Sequence, residues 1–221
     1  MSSSTSRQKA RRLELLAAVA IVGQVFFTAI AWLFPFFSEY TLIGDNISEL
    51  SLGSYGYLQT AAFLAAGVGS LALAVGVRRT TSGSWGSRVG SLLIGLYGVG
   101  AILVGIFPTD RIDAAADLLS LTTVGTVHIV VSALAFVLGI VGMFVLSRTF
   151  KRDARWRGLW PSSLVLALAT LIGFFLQNEG PWVGLTQRIF VGTISLWLFL
   201  VAFWLRSIAK GASAEPSPWG L

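Results

Sequence analysis

Six long apolar runs, none with Asp, Glu, Lys or Arg in its interior, dominate the 221-residue chain and leave few folds open to it. They fall at about 14–37, 57–77, 89–107, 122–147, 159–177 and 189–206. Each approaches or exceeds the roughly 18 to 20 apolar residues that a helix needs to cross ~30 Å of hydrocarbon. A charge at mid-span costs about 2.5–3.5 kcal/mol on insertion scales, so runs kept clear of charge are lipid-compatible along their length. With 55% hydrophobic and 12% charged residues, the chain carries more apolar surface than a soluble domain of this size can bury. The expectation is all-α: one integral membrane bundle of six transmembrane helices over about 1–210, then a disordered tail over 211–221. The tail is expected because Ala-Glu-Pro-Ser-Pro offers nothing to bury.

The charges outside the runs are sorted by side. Fourteen of the 16 Lys and Arg residues flank one set of ends: Arg7, Lys9, Arg11 and Arg12, then Arg78, Arg79 and Arg88, then Arg148, Lys151, Arg152, Arg155 and Arg157, then Arg206 and Lys210. The other set of loops holds Arg111 and Arg188 with Glu39, Asp45, Glu49, Asp110, Asp113, Asp117 and Glu179. Positive loops stay inside, which places both termini in the cytoplasm and the acidic loops outside, in a multi-pass protein of the cell membrane. The basic balance is therefore topogenic; it attracts anionic membrane lipids and needs no nucleic-acid partner. Ala29-Ile30-Ala31 resembles a signal-cleavage site, but the apolar stretch runs on through Phe37, which favours a retained span.

Several chemistries are excluded by composition. Cysteine is absent, which removes disulfides, thiolate catalysis and iron–sulfur ligation. Three lysines, all outside the runs, leave no intramembrane Schiff base, and one histidine cannot supply two haem ligands. No metal motif and no cofactor is implied. Small residues at helical spacing, such as Ala62, Ala66 and Ser70, or Ala135 and Gly139, allow close helix approach and are also faces through which copies of the chain could associate. No repeat relates the two three-helix halves.

Four segments on the acidic side carry the remaining polar chemistry. In Asp45-Asn46-Ile47-Ser48-Glu49-Leu50, Asn46 and Glu49 have the spacing of a capping box, or else Ser48 and Glu49 line a pocket. In Pro108-Thr109-Asp110-Arg111, Pro108 ends a helix and Thr109 caps a surface helix bearing Asp110, Asp113 and Asp117, of which Asp110 is nearest the membrane. His128 lies roughly 9 Å down its run at 1.5 Å per residue, either bonded to a neighbouring helix at Gln24 or a backbone carbonyl, or chemically active, with Ser132 on its face. In Gly184-Leu185-Thr186-Gln187-Arg188-Ile189, Arg188 either snorkels to water or pairs with a carboxylate or an anionic ligand.

The order Asn-Ile-Ser-Glu-Leu after span 1, Phe-Pro-Thr-Asp after span 3, a histidine early in span 4 and Gly-Leu-Thr-Gln-Arg-Ile before span 6 resembles the six-span prokaryotic membrane family catalogued as domain of unknown function 998. The resemblance implies the six-span layout and brings no activity. Gln187 stands where that pattern has an acidic residue.

Three functions compete on the residues alone. The first is a binding protein that takes a lipid or amphiphile at an outer polar mouth lined by Asn46, Ser48, Glu49, Asp110, His128, Gln187 and Arg188. The second is a membrane-embedded hydrolase or transferase with His128 as general base, Ser48 as nucleophile and Asp110 as orienting carboxylate; no nucleophile-elbow motif surrounds Ser48. The third is a small-solute transporter, for which Gln24, Thr28, Ser70, Ser132, Thr170 and Thr193 are a thin polar path.

Overall fold

The computed structural model describes residues 2–111, 121–177 and 180–214, with side chains from 5 to 211 within those segments. The expected spans form helices α1 (Ser2–Leu33), α2 (Gly56–Thr80), α3 (Trp85–Ile106), α4 (Thr123–Arg152), α5 (Trp160–Leu176) and α6 (Val183–Ala214). All six are long and apolar enough to cross a membrane. No strand occurs among the described residues. Helix α6 continues to Ala214, three residues past the Gly211 boundary expected for the tail, and 215–221 lie outside the described residues.

Local chemistry sets the helix ends. Ser84 caps α3 by accepting the Ser87 N–H at 3.3 Å, and Thr122 caps α4 by accepting the Gly125 N–H at 3.0 Å. Pro161 occupies the first turn of α5, where its missing N–H is harmless. Helix α3 stops at Ile106, just ahead of Pro108, and α1 gives way to a 3₁₀ turn at Phe34–Phe37 that contains Pro35.

Each helix packs on its chain neighbours and α6 closes against α1, so the bundle is a ring with its core along the inner faces. The loops joining α1–α2, α3–α4 and α5–α6 gather at the acidic end. At the basic end, buried Asp153 accepts the Ser82 and Arg155 N–H groups at 2.8 and 3.0 Å and so joins the two short basic loops. Trp204 donates to the Arg155 carbonyl at 2.9 Å and draws α6 into the same knot.

Inside the ring several polar side chains bond to one another or to main chain. Ser163 takes a bond from Trp197 Nε1 at 2.8 Å and shares one with Ser147 at 2.6 Å, tying α4, α5 and α6. Gln24 donates to the Ala66 carbonyl at 3.3 Å, joining α1 to α2. Glycines allow the closest approaches: a Cβ on Gly98 would stand 2.8 Å from the Gly67 carbonyl, and one on Gly67 would stand 2.6 Å from the Gly98 carbonyl. Gly98→Val should therefore force α2 and α3 apart and destabilise the bundle by about 1–3 kcal/mol. Gly192→Ala, which meets no atom within 4 Å, should leave stability unchanged or slightly raised. Thermal midpoints of both variants in detergent measure the contrast.

Candidate functional site

Two prolines decide what the buried polar residues at the acidic end must do. In an α-helix the carbonyl of residue i accepts the N–H of residue i+4, and a proline at i+4 has none to give. Pro35 thus orphans the Ala31 carbonyl near the end of α1. Arg188 of α6 supplies the missing donor, with Nε 3.0 Å from that oxygen. Its Nη1 donates to the carbonyls of Leu42 at 3.1 Å, Asp45 at 2.6 Å and Gly184 at 3.1 Å. The residue is 0% exposed, and Nη2 has no hydrogen-bond partner.

Arg188 therefore neither snorkels nor pairs with a carboxylate. An ion pair at the other end joins Arg155 and Asp153 at 3.7 Å. Main-chain oxygens solvate the Arg188 cation, because its planar fork can reach three separate stretches of chain at once. The α1–α2 loop is pinned to α6 by this fork, and the Leu185 N–H adds a bond to the Ile43 carbonyl at 3.1 Å.

The rest of the roof is built on the same loop. Glu49 is buried and reaches back to accept the Asn46 N–H at 2.7 Å, the local half of a capping box ahead of the 3₁₀ turn Ser48–Ser51. The cap position itself falls on Ile47 rather than Asn46, and the Ile47 N–H donates to Gln187 Oε1 at 2.6 Å. An amide oxygen accepts there as a carboxylate would, so the glutamine at this position keeps the bond without the charge. Asp45 turns inward on its own loop, accepting from the Thr41 N–H and hydroxyl at 2.7 and 2.9 Å. Arg111 lies over the Tyr40 ring, 5.9 Å from its centroid. Burial, then the Glu39 charge, raises the Tyr40 phenol above its ordinary pKa of 10.0.

Asp110 closes the turn between α3 and α4. Its carboxylate accepts the Thr122 N–H at 2.7 Å and the Thr122 hydroxyl at 2.8 Å. Gly125 is required below it, since a Cβ there would run into the carboxylate. Asp113, Asp117 and the surface helix expected to carry them lie outside the described residues, as does Glu179.

His128 is 4% exposed on the second turn of α4, and its Nδ1 bonds the Phe107 carbonyl at 2.7 Å. The Val104 carbonyl also faces the ring; its helical donor would have been Pro108. The backbone partner is thus realised, while Gln24 is committed elsewhere. With Nδ1 as donor, the neutral ring presents Nε2 as an acceptor on its other side.

His128 also lines a cavity beneath the roof. Phe27 of α1, Phe63 of α2, Tyr97 and Val104 of α3, Phe136 of α4 and Val191 of α6 form apolar walls, while Ser48, His128, Ser132 and Gln187 contribute polar edges. The cavity has a volume of about 70 Å³. That exceeds the roughly 10–15 Å³ one water needs on the same measure. The hydroxyls of Ser48, Tyr97 and Ser132 make no hydrogen bond among the described residues, and neither does Gln187 Nε2.

The seven residues expected at the site thus fall into two sets. Ser48, His128 and Gln187 line the cavity, whereas Asn46, Glu49, Asp110 and Arg188 build and fasten its roof. No Ser48–His128–Asp110 relay is assembled: His128 Nδ1, where an orienting carboxylate would act, faces a main-chain oxygen, and Asp110 is held by Thr122. Tyr97 and fully buried Gln59 escaped the sequence reading. A tyrosine between Gly95 and Gly98, well away from either boundary of its run, was the available signal for Tyr97.

Six apolar helices around a partly enclosed cavity, under a roof of bonded loops, define a multi-pass membrane-type protein. The chain belongs to the family described as protein of unknown function DUF998, whose model matches residues 7–204. Among curated proteins and among solved structures, nothing matches the chain.

Replacing Arg188 by Ala should destabilise the bundle by several kcal/mol, since buried carbonyls lose charge-assisted bonds worth about 1.5–3 kcal/mol each. Pro35→Ala returns an N–H to Ala31. In that background the same Arg188→Ala change should cost about 1 kcal/mol less, a coupling that a double-mutant cycle on thermal stability measures.

Proposed function

We propose that this chain is a membrane protein that binds an amphiphile, with the polar head under the acidic-end roof and the chain among the aromatic walls. One observation carries the reading: Ser48, Tyr97, Ser132 and Gln187, whose hydroxyls and Nε2 have no hydrogen-bond partner among the described residues, line one cavity together with His128, and its other walls are apolar. Buried polar groups are almost always satisfied, so a set of open ones in one cavity suits a ligand or water that completes them. Apolar walls with a few convergent polar groups are the composition of small-molecule sites.

Lipid-retention mass spectrometry on purified protein tests this. Ala101 and Ser132 line the cavity, and Ala101→Leu or Ser132→Ile should fill it and reduce retained amphiphile at least about fivefold, in proteins whose thermal midpoints show them folded. Unchanged retention in both folded variants would remove the reading.

The cavity lies at the end of the bundle that carries the acidic loops, and the basic-residue asymmetry argues that this end faces outward. The cysteine-free chain allows a direct check. A single cysteine at Thr41 should react with an impermeant maleimide on intact cells, and one at Ser82 should react only after lysis.

A further inference from the structure

We infer that the occupant of the cavity is an uncharged amphiphile whose head carries hydroxyl, ester or amide groups; this deepens the amphiphile-binding reading and rests on it. The wall holds no Lys, Arg, Asp or Glu. A phosphate or carboxylate head would enter without a cationic partner among the lining residues, because Arg188 does not line the space and its Nε and Nη1 are committed to four main-chain carbonyls. A buried ion without a partner is the costliest polar group to accommodate.

An ammonium head fares no better. The described carboxylates nearest the cavity are turned into the roof: Asp45 to Thr41, Glu49 to the Asn46 N–H and Asp110 to Thr122. Meanwhile Glu39, Asp45, Glu49 and Asp110 outnumber Arg111 and Arg188 among the described residues of that end, so its field opposes an anionic head on approach.

What the cavity offers instead is neutral and two-sided. Hydroxyls can donate or accept, Gln187 Nε2 donates, and His128 Nε2 accepts. The polar groups stand at two levels, since Ser132 lies four residues, or about 6 Å, below His128 on α4. A head with two polar groups along one chain, as in a glycerol carrying an ester, matches that spacing. Gln59 adds an independent sign of unfilled neutral bonding: it is 0% exposed, and neither end of its carboxamide has a partner among the described residues. It sits four and seven residues before Phe63 and Ala66, both lining residues, on the same stripe of α2.

Native mass spectrometry of the full chain in a non-ionic detergent tests the assignment, with diacylglycerol, phosphatidylglycerol, a free fatty acid and a quaternary-ammonium amphiphile as separate probes. Diacylglycerol should bind at least about tenfold more tightly than the three charged probes. Its binding should fall about 2- to 10-fold in Ser48→Ala and in Ser132→Ala, each of which removes one neutral partner. Binding should be lost in the cavity-filling Ala101→Leu and Ser132→Ile proteins. A charged probe that binds as tightly as diacylglycerol and is displaced by filling would overturn the uncharged assignment while keeping the cavity reading. If no probe responds to filling in folded variants, both fall together.

Discussion

The acidic end of this bundle depends on one side chain solving a main-chain problem. Where no water competes, every backbone carbonyl needs a donor, and a proline at the end of a transmembrane helix withholds one. Arg188 answers with a rigid fork that reaches α1, the following loop and its own helix. Its charge is held by oxygen dipoles instead of a carboxylate, which leaves the acidic residues of the same loops for local bonds: Glu49 to Asn46, Asp45 to Thr41. Lysine carries a compact point charge and could not span these acceptors.

The cavity follows from that roof. A loop tied down at Ala31, Leu42 and Asp45, with Ile47 fastened to Gln187, bridges the ring at the level of the first helical turns and does not collapse into it. His128 does for the end of α3 what Arg188 does for the end of α1, bonding an oxygen near a proline and so fixing a residue that lines the cavity. The open polar groups are thus held by elements fastened to one another through main-chain and side-chain bonds, which favours a rigid recognition surface.

Much of this was legible in the chain. The spans, the all-α class and the four polar segments follow from hydropathy and order, because a membrane permits few alternatives. The split between lining and roof was not. Counting charges made Arg188 the natural partner of a carboxylate, whereas its true acceptors are carbonyls that no side-chain inventory displays; only Pro35, read against Ala31 four residues earlier, hinted at them. Asp110 looked like a pocket residue and is a turn staple, since Thr122 lies beyond a loop whose course the sequence does not reveal. Tyr97 was hidden among residues that pack for shape, although it lines the cavity.

Because α6 closes the ring against α1, the order of synthesis runs opposite to the order of dependence. The acceptors at Ala31, Leu42 and Asp45 emerge first, and their donor lies 157, 146 and 143 residues further along. Five helices must enter the bilayer and wait, with the first loop untied and the chamber unroofed, until the last one arrives. Closure of the site is therefore the final event of assembly, and a nascent chain halted before residue 188 holds walls but no ceiling.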